Sequence, residues 1–407
     1  MTVVLVALLS ARQGLAQAPP AEAAPPALPT SGFEDGFFIQ SADGRSRITL
    51  STLMHVDGRF VPDDPSASSN TFSMRRVRVG FTARFANIFE VRFNPELGNG
   101  TALIQDMYLD VKLSTAARIR VGKYKVPLGY EMLITAPRIV MPERALASNL
   151  VPNRDVGVQV MGDLAGGRVS YAGGVFNGSP DGGSALDGDT NSAKDLIGSV
   201  EVRPFRRAAT GRVRDGLGLR LAGSTGEAHG PLLPFRTSVL HTFFAYANGV
   251  ETDGARHRLS PSVFYWHRSV GAFAEYFRST QTVVRDETQS ENTNRGWAVT
   301  GTYLLTGEQA SATSVTRPKH DINPGAHHWG AFQIVARYST LSIDPAAFAS
   351  RVVAPGSSQH ATQASVGLNW YATPYVKYVA MVERTGFDAP SRRPAEHAIM
   401  LRTQVAF

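Results

Sequence analysis

From Met74 to Phe85 the chain reads Met-Arg-Arg-Val-Arg-Val-Gly-Phe-Thr-Ala-Arg-Phe. An extended strand turns successive side chains to opposite faces, so Val77, Val79, Phe81 and Phe85 share one face while Arg76, Arg78, Thr82 and Arg84 share the other. A single such strand fits any antiparallel sheet with one solvated face. What constrains the fold is whether the pattern repeats, and in what sense.

It does repeat. Phe89, Val91 and Phe93 oppose Glu90, Arg92 and Asn94, and Met107, Leu109, Val111 and Leu113 oppose Asp106, Tyr108, Asp110 and Lys112. Further on, Leu217, Leu219 and Leu221 oppose Arg220, and Phe332, Ile334, Ala336 and Tyr338 oppose Gln333, Arg337 and Ser339. Gly/Asn/Asp/Pro clusters separate the runs, as hairpins require. An arginine on a lipid-facing wall costs about 2–4 kcal/mol at the bilayer midplane. Keeping every charged face inward in a closed barrel avoids that cost in each strand. Lys123, Lys125 and Arg384 break the parity near expected strand ends, where a long side chain can snorkel to the interface.

These runs imply an all-β, closed antiparallel transmembrane barrel of about sixteen strands, with the stretch from Phe235 to Arg258 the hardest to place. Short connections near Ala86-Asn87, Ser114–Ala117 and Ala165–Gly167 alternate with longer ones at Val61–Phe72, Val126–Asp155 and Asn177–Asp195. Outer-membrane barrels show this asymmetry, with brief periplasmic turns and long external loops. The 407 residues, 43% hydrophobic and 18% charged, rule out disorder and coiled coil but suit one large barrel. With no cysteine, disulfides, thiolate metal sites and cysteine nucleophiles are excluded.

The ends of the chain fit export. Val3–Leu9 is a short apolar run and Gly14-Leu15-Ala16 suits signal-peptidase cleavage, so residues 1–16 are expected to be a signal peptide, although no positive residue precedes Val3. Residues 17–32, rich in Pro and Ala, are expected to form an extended linker and 33–407 the barrel. No other stretch approaches the ~20 apolar residues of a membrane helix. Ile399, Leu401, Val405 and Phe407 alternate with Met400, Arg402, Gln404 and Ala406, and a final aromatic on such a strand is similar to the assembly signal of bacterial outer-membrane barrels. The barrel-assembly machinery and outer-membrane lipid are therefore expected partners.

At this point several segments become recognisable: Phe72–Phe85, Asp106-Met107-Tyr108-Leu109-Asp110, the run Val121–Glu131 and Met141-Pro142-Glu143-Arg144. Asn177-Gly178, Lys194-Asp195, Arg203-Pro204-Phe205, Glu275-Tyr276, Leu305-Thr306-Gly307-Glu308 and Ala336-Arg337-Tyr338-Ser339 follow in order. Together they resemble the phosphate-selective porin O and P family over nearly everything from Phe33 to Phe407. The resemblance implies a sixteen-stranded outer-membrane barrel, usually trimeric, that conducts small anions past an arginine ladder and an infolded constriction loop. By the same resemblance Arg75 and Arg76 are the family's adjacent-arginine pair, and Asp106 is the acidic partner. Arg78 stands where phosphate-specific members carry an aromatic, and Arg138 lies one place from their constriction lysine, at which this chain has Pro137.

The residues themselves support anion passage. Parity turns Arg76, Arg78, Arg84, Arg92, Lys112, Arg118, Arg120, Arg203, Arg220, Arg337, Lys377 and Arg402 into the lumen against Glu90, Asp106, Asp110, Glu201, Glu275 and Glu383, twelve basic groups to six acidic. Rings of such groups lower the barrier to anions, and a ladder passes an ion between moderate sites without a deep trap. Two bland causes compete: genomic GC content inflates arginine, and arginines brace acids in any barrel interior. The segment Val126–Asp155, long, moderately apolar and carrying Arg138, Glu143 and Arg144, is expected to fold into the lumen as the constriction, an ordered external lid being the other reading.

The expected pore residues are thus Arg75, Arg76, Arg78, Arg84, Arg92, Asp106, Arg118, Arg120, Arg138, Arg220, Arg337 and Arg402. The expected function is passive diffusion of small inorganic anions, phosphate or polyphosphate leading, across the bacterial outer membrane; a weakly selective diffusion porin is the alternative. Asp187–Asn191 lacks the turn glycine and terminal Glu of a calcium loop, and His320-Asp321 with His327-His328 has irregular spacing, so no metal or cofactor is expected. A barrel hydrolase would need more than His55 and Asp57, for no nucleophile accompanies them. An energy-coupled transporter would need a plug domain before Phe37. Nucleic acid is not an expected partner.

Overall fold

The computed structural model describes residues 30–62, 70–100, 102–189, 191–206, 216–388 and 393–407. The expected signal peptide lies outside the described residues, as does most of the linker. Its last residues, placed in the linker by composition, instead pair as a strand, β1 (Thr30–Phe33), with β2 (Phe37–Gln40).

The wall begins with β3 (Arg47–Phe60), β4 (Thr71–Phe85), β5 (Phe89–Glu96), β6 (Leu103–Lys112), β7 (Arg118–Lys125) and β8 (Arg154–Leu164). It continues through β9 (Val169–Phe176), β10 (Asp195–Val202) and β11 (Leu217–Pro231). Two short inner strands follow, β12 (Phe235–Arg236) and β13 (Thr242–Phe244), which pair only with each other. The wall resumes at β14 (Glu251–His267), then β15 (Val270–Arg285), β16 (Thr288–Leu304), β17 (Ala331–Ser342), β18 (His360–Tyr371), β19 (Val376–Phe387) and β20 (Glu396–Ala406). Each wall strand pairs antiparallel with the next, and β20 returns to β3. Setting aside the β1–β2 hairpin on the edge of β3, sixteen of the eighteen strands in the large sheet form a closed barrel. The seam is completed at Phe407, which exchanges backbone hydrogen bonds with Thr52 at 2.7 and 3.1 Å, while its ring packs on Phe37 and Phe33 of the hairpin.

Closure explains the alternation. Along β17, Ile334, Ala336 and Tyr338 are exposed while Gln333, Val335, Arg337 and Ser339 are buried, the inverse of a water-soluble sheet, with apolar side chains outward and mostly polar ones inward. The stretch that resisted placement divides between the inner β12–β13 ribbon and the start of β14. At one end of the barrel, the turn end, connections are short at 86–88, 113–117, 165–168, 268–269 and 372–375, but longer at 203–216 and 305–330. At the other, the loop end, most are long, though β15 and β16 are joined by Asp286-Glu287 alone. Ala86 and Asn87 both have positive φ, the left-handed geometry that lets a tight hairpin turn follow strand twist.

The segment from Val126 to Asn153, between β7 and β8, is bonded to strands all round the wall. Its backbone carbonyls accept from Arg220 (Pro127), Lys377 (Ile139), Asn369 (Val140), Arg402 (Pro142) and Arg337 (Glu143). Strands so far apart in a closed barrel can share one segment only across its interior. Inside, Leu128, Met132, Leu146 and Leu150 form an apolar core with Phe235, Phe243 and Phe244 of the β12–β13 ribbon and with Phe277 and Leu341 of the wall. The 3-10 turn Leu146–Leu150 reaches the wall because β16 carries Gly296 there. A Cβ on that glycine would lie 3.1 Å from the Ala147 side chain and 2.8 Å from the Thr340 carbonyl.

Candidate functional site

Two arrangements of lumen arginines result. The first surrounds Glu143 on the infolded segment. Its carboxylate accepts from Arg75 Nε at 2.7 Å, Arg76 Nη2 at 2.9 Å and Arg59 Nη2 at 3.2 Å, with Arg402 Nη2 at 3.6 Å. Asp57 lies beside it, bidentate to Arg402 at 2.6 and 2.7 Å. Burial alone would raise the Glu143 carboxyl, but Arg75, Arg76, Arg402 and Arg59 outweigh it and hold the group well below its ordinary value.

Both members of the adjacent pair reach one carboxylate because β4 bulges there. His55 pairs with Arg76 and Val56 with Met74, which leaves Arg75 as an extra residue. A bulge lets consecutive side chains turn to the same face. Simple parity turned Arg75 outward, and only the family resemblance made it a pore residue. The acid in reach of the pair is Glu143. Asp106, the expected partner, instead accepts from Arg154 Nε and Asn94 Nδ2, each at 2.8 Å.

The second arrangement lines a cavity of about 1160 Å³ that opens toward the turn end and runs up β4–β11 to the Leu133–Arg138 part of the segment. Arg78, Arg92, Lys112, Arg118, Arg120, Lys125, Arg138, Arg220 and Arg317 line it, against Asp35, Asp106 and Asp163, nine basic groups to three acidic. Several of the arginines are braced from behind by carboxylates that the cavity does not reach. Arg120 is bidentate to the fully buried Asp110 at 2.6 and 2.8 Å, which Arg118 also approaches at 3.5 Å. Arg78 Nε donates to buried Glu96 at 2.7 Å, and Arg220 lies 3.7 Å from Glu201. Such bracing fixes guanidinium orientation and leaves the outer N–H groups toward water.

Arg92 and Arg138 differ from these. Among the described residues neither is within ion-pair distance of a carboxylate: Arg92 donates to Thr82 Oγ1 at 3.3 Å, and Arg138 to Thr135 Oγ1 at 2.7 Å and to the Thr313 carbonyl. Burial and the nearby Arg92 charge both lower the Arg138 guanidinium from its ordinary value. Thr313 belongs to the connection 305–330, which enters the cavity from the turn end and is tied by Arg317 to Asp35.

Of the expected pore residues, Arg78, Arg92, Asp106, Arg118, Arg120, Arg138 and Arg220 therefore share the cavity. Arg75, Arg76 and Arg402 surround Glu143, Arg337 pairs with Glu131 of the infolded segment, and Arg84 sits near the turn end, 3.9 Å from Glu90. Lys125, expected to snorkel outward, turns inward and donates to the Met132 and Ile134 carbonyls at 2.6 and 2.7 Å, pinning the infolded segment where it leaves β7. Arg59 was missed and Asp57 was weighed only with His55 as a hydrolase pair, although the spacing gives all three the same parity. Glu96 and Arg154 were missed because each stands at a strand end. His55 bonds Arg76 and Gln404, and Asp57 bonds Arg402 and Arg59, so both are engaged in bracing the wall.

The comparisons agree with this architecture. The outer-membrane channel DcaP of Acinetobacter baumannii matches with a TM-score of 0.57 at 12% identity, over 93% of this chain and 100% of that one. The trimer form of OmpT of Vibrio cholerae matches at 0.56 and 10% identity, over 89% and 99%. OprB of Pseudomonas putida matches at 0.51 and 11%, over 90% and 95%. At these identities the likeness is one of fold. No curated protein matches the sequence. The profile of the family described as phosphate-selective porin O and P matches residues 49–224 and 242–407, and the chain accordingly belongs to that family of outer-membrane porins.

Proposed function

We propose that this porin passes small inorganic anions, phosphate leading, by passive diffusion through the arginine-lined cavity. The carrying observation is the composition of that cavity, nine basic groups to three acidic, with Arg92 and Arg138 facing it without a carboxylate partner among the described residues. Two such groups in a wet passage attract an anion at modest strength, because water screens each contact, and modest sites release as readily as they bind. The infolded segment, clamped through Glu143, acts as the constriction, and its Leu133–Arg138 portion sets the narrow point. The loop end faces the exterior, and the assembly is a homotrimer, in keeping with the family and with the trimer form of Vibrio cholerae OmpT.

Weakly selective diffusion is the second reading. It is favoured by the pairing of Arg78, Arg118, Arg120 and Arg220 with carboxylates, which reduces the net field. Single-channel recordings in planar bilayers separate the two. Anion-carried chloride current that phosphate reduces at low concentration supports phosphate preference. Chloride current indifferent to phosphate supports the weak pore, and potassium-carried current overturns both.

A further inference from the structure

The outer wall carries a feature that pore function does not use. On β15 and β16 the outward residues run, from the turn end, through Val270 and Tyr303, Ala272 and Gly301, Ala274 and Val299, to Tyr276 opposite Trp297. Trp297 packs on Tyr338 of β17 with ring centroids 5.4 Å apart. Directly beyond that aromatic pair, Arg278 stands opposite Arg295, both exposed, and beyond them Thr280 and Thr293 bond each other at 2.9 Å. The arginines thus mark the line where the outer face changes from apolar to polar.

Like charges directly opposite on antiparallel strands have Cβ atoms within about 4.5–5.5 Å and are mutually destabilising. Among the described residues neither guanidinium has an ion pair or a side-chain hydrogen bond. The nearest acid on that face of the two strands, Glu291, stands opposite Thr282, two pairs farther on, and forms no ion pair with either. A girdle of aromatics marks the interfacial level of a membrane barrel, and just beyond it lie lipid headgroups. The fork of arginine matches phosphate oxygens two at a time.

The geometry points to Arg278 and Arg295 as a binding site for the anionic phosphate of a membrane lipid headgroup in the leaflet at the loop end. A phosphate between the two guanidiniums removes their repulsion, while the lipid chains lie down the apolar stripe below Trp297 and Tyr276. The commitment to lipid rather than free phosphate comes from that stripe and from the outward direction of both side chains. The site is independent of what the pore carries.

The test is binding of diphosphoryl lipid A to the purified barrel in detergent, read by native mass spectrometry, with folding of each variant checked by heat-modifiable gel mobility. Arg278→Gln with Arg295→Gln is expected to weaken binding roughly tenfold or more, while Arg278→Lys with Arg295→Lys retains part of it, lysine being a point-charge phosphate ligand. Arg384→Gln, which removes another exposed arginine, on β19, is expected to leave binding unchanged. Unchanged affinity in the glutamine double variant, an equal loss in Arg384→Gln, or full displacement of the lipid by inorganic phosphate overturns the site.

Discussion

The barrel interior has two unlike sectors. Along β4–β7 the inward positions hold Arg76, Arg78, Arg92, Asp106, Asp110, Arg118 and Arg120, and most of these side chains face water in the cavity. Along β16–β18 the inward positions hold Asn294, Thr300, Gln333, Ser339, Gln363 and Asn369, with Arg337 the charged exception, all buried beneath the infolded segment and its neighbours. Both sectors alternate equally well, so alternation alone gives the wall and says nothing of what lies inside it. The inward residue types make the difference. Small neutral groups let packed loops approach and satisfy their carbonyls, as Asn369 does for Val140, whereas long charged groups keep a channel hydrated.

The clamp between the sectors offers the sharpest way to break the contrast. Glu143→Gln leaves three buried guanidiniums, Arg59, Arg76 and Arg402, and the half-buried Arg75 facing a neutral amide, and breaking a buried pair of this kind costs about 3–5 kcal/mol. The infolded segment is expected to loosen, with a fall in thermal unfolding temperature and a rise in single-channel conductance; unchanged conductance would show that the segment holds its place without the clamp. On the packed side, Gly296→Val forces Ala147 away from β16. Overpacking of this order costs about 1–3 kcal/mol, and thermal unfolding is expected to register it while anion preference stays as in the parent.

On the wet side the expected effects run the other way. Arg92→Ala and Arg138→Ala break no ion pair, so stability is expected to change by about 0.5 kcal/mol or less, while anion preference falls in reversal-potential measurements. The smallest effect is that of pH. A carboxyl depressed in the folded state contributes stability that is complete above its ordinary value of 4.5 and is lost only as pH falls through the depressed folded value. Conductance is therefore expected to show no Glu143-dependent step between pH 7 and 4.5, and any acid-induced opening to come below that window. A step inside it that Glu143→Gln abolishes would mean the clamp is weaker than its geometry.

The wall strands were largely legible because period-two alternation on an apolar outer face survives nearly every substitution a barrel tolerates. Legibility failed where local geometry broke that period. The bulge at Arg75 turns a residue that parity sends outward, and Pro95 shifts the register next to Glu96. It failed again inside the barrel, where β12 and β13 pair with each other away from the wall and carry no membrane-facing stripe to reveal them. The cavity arginines on wall strands could be assigned from parity, Arg138 and Arg317 in the connections could not, and the acids behind them only partly. Glu143 comes from a loop 68 residues beyond Arg75, and no sequence period links them. A usable signal did exist in the mostly neutral inward residues of β16–β18, interrupted by Arg337, which mark the wall that loops cover.

In the proposed pore, anions travel the arginine sector past Arg92 and Arg138. Reversal potential under a potassium chloride gradient, measured on the parent and on the Arg92→Glu, Arg138→Glu double variant, tests this route most directly. Anion preference is expected in the parent, with a clear shift toward potassium in the variant. Cation preference in the parent, or identical reversal potentials in the two, would contradict it.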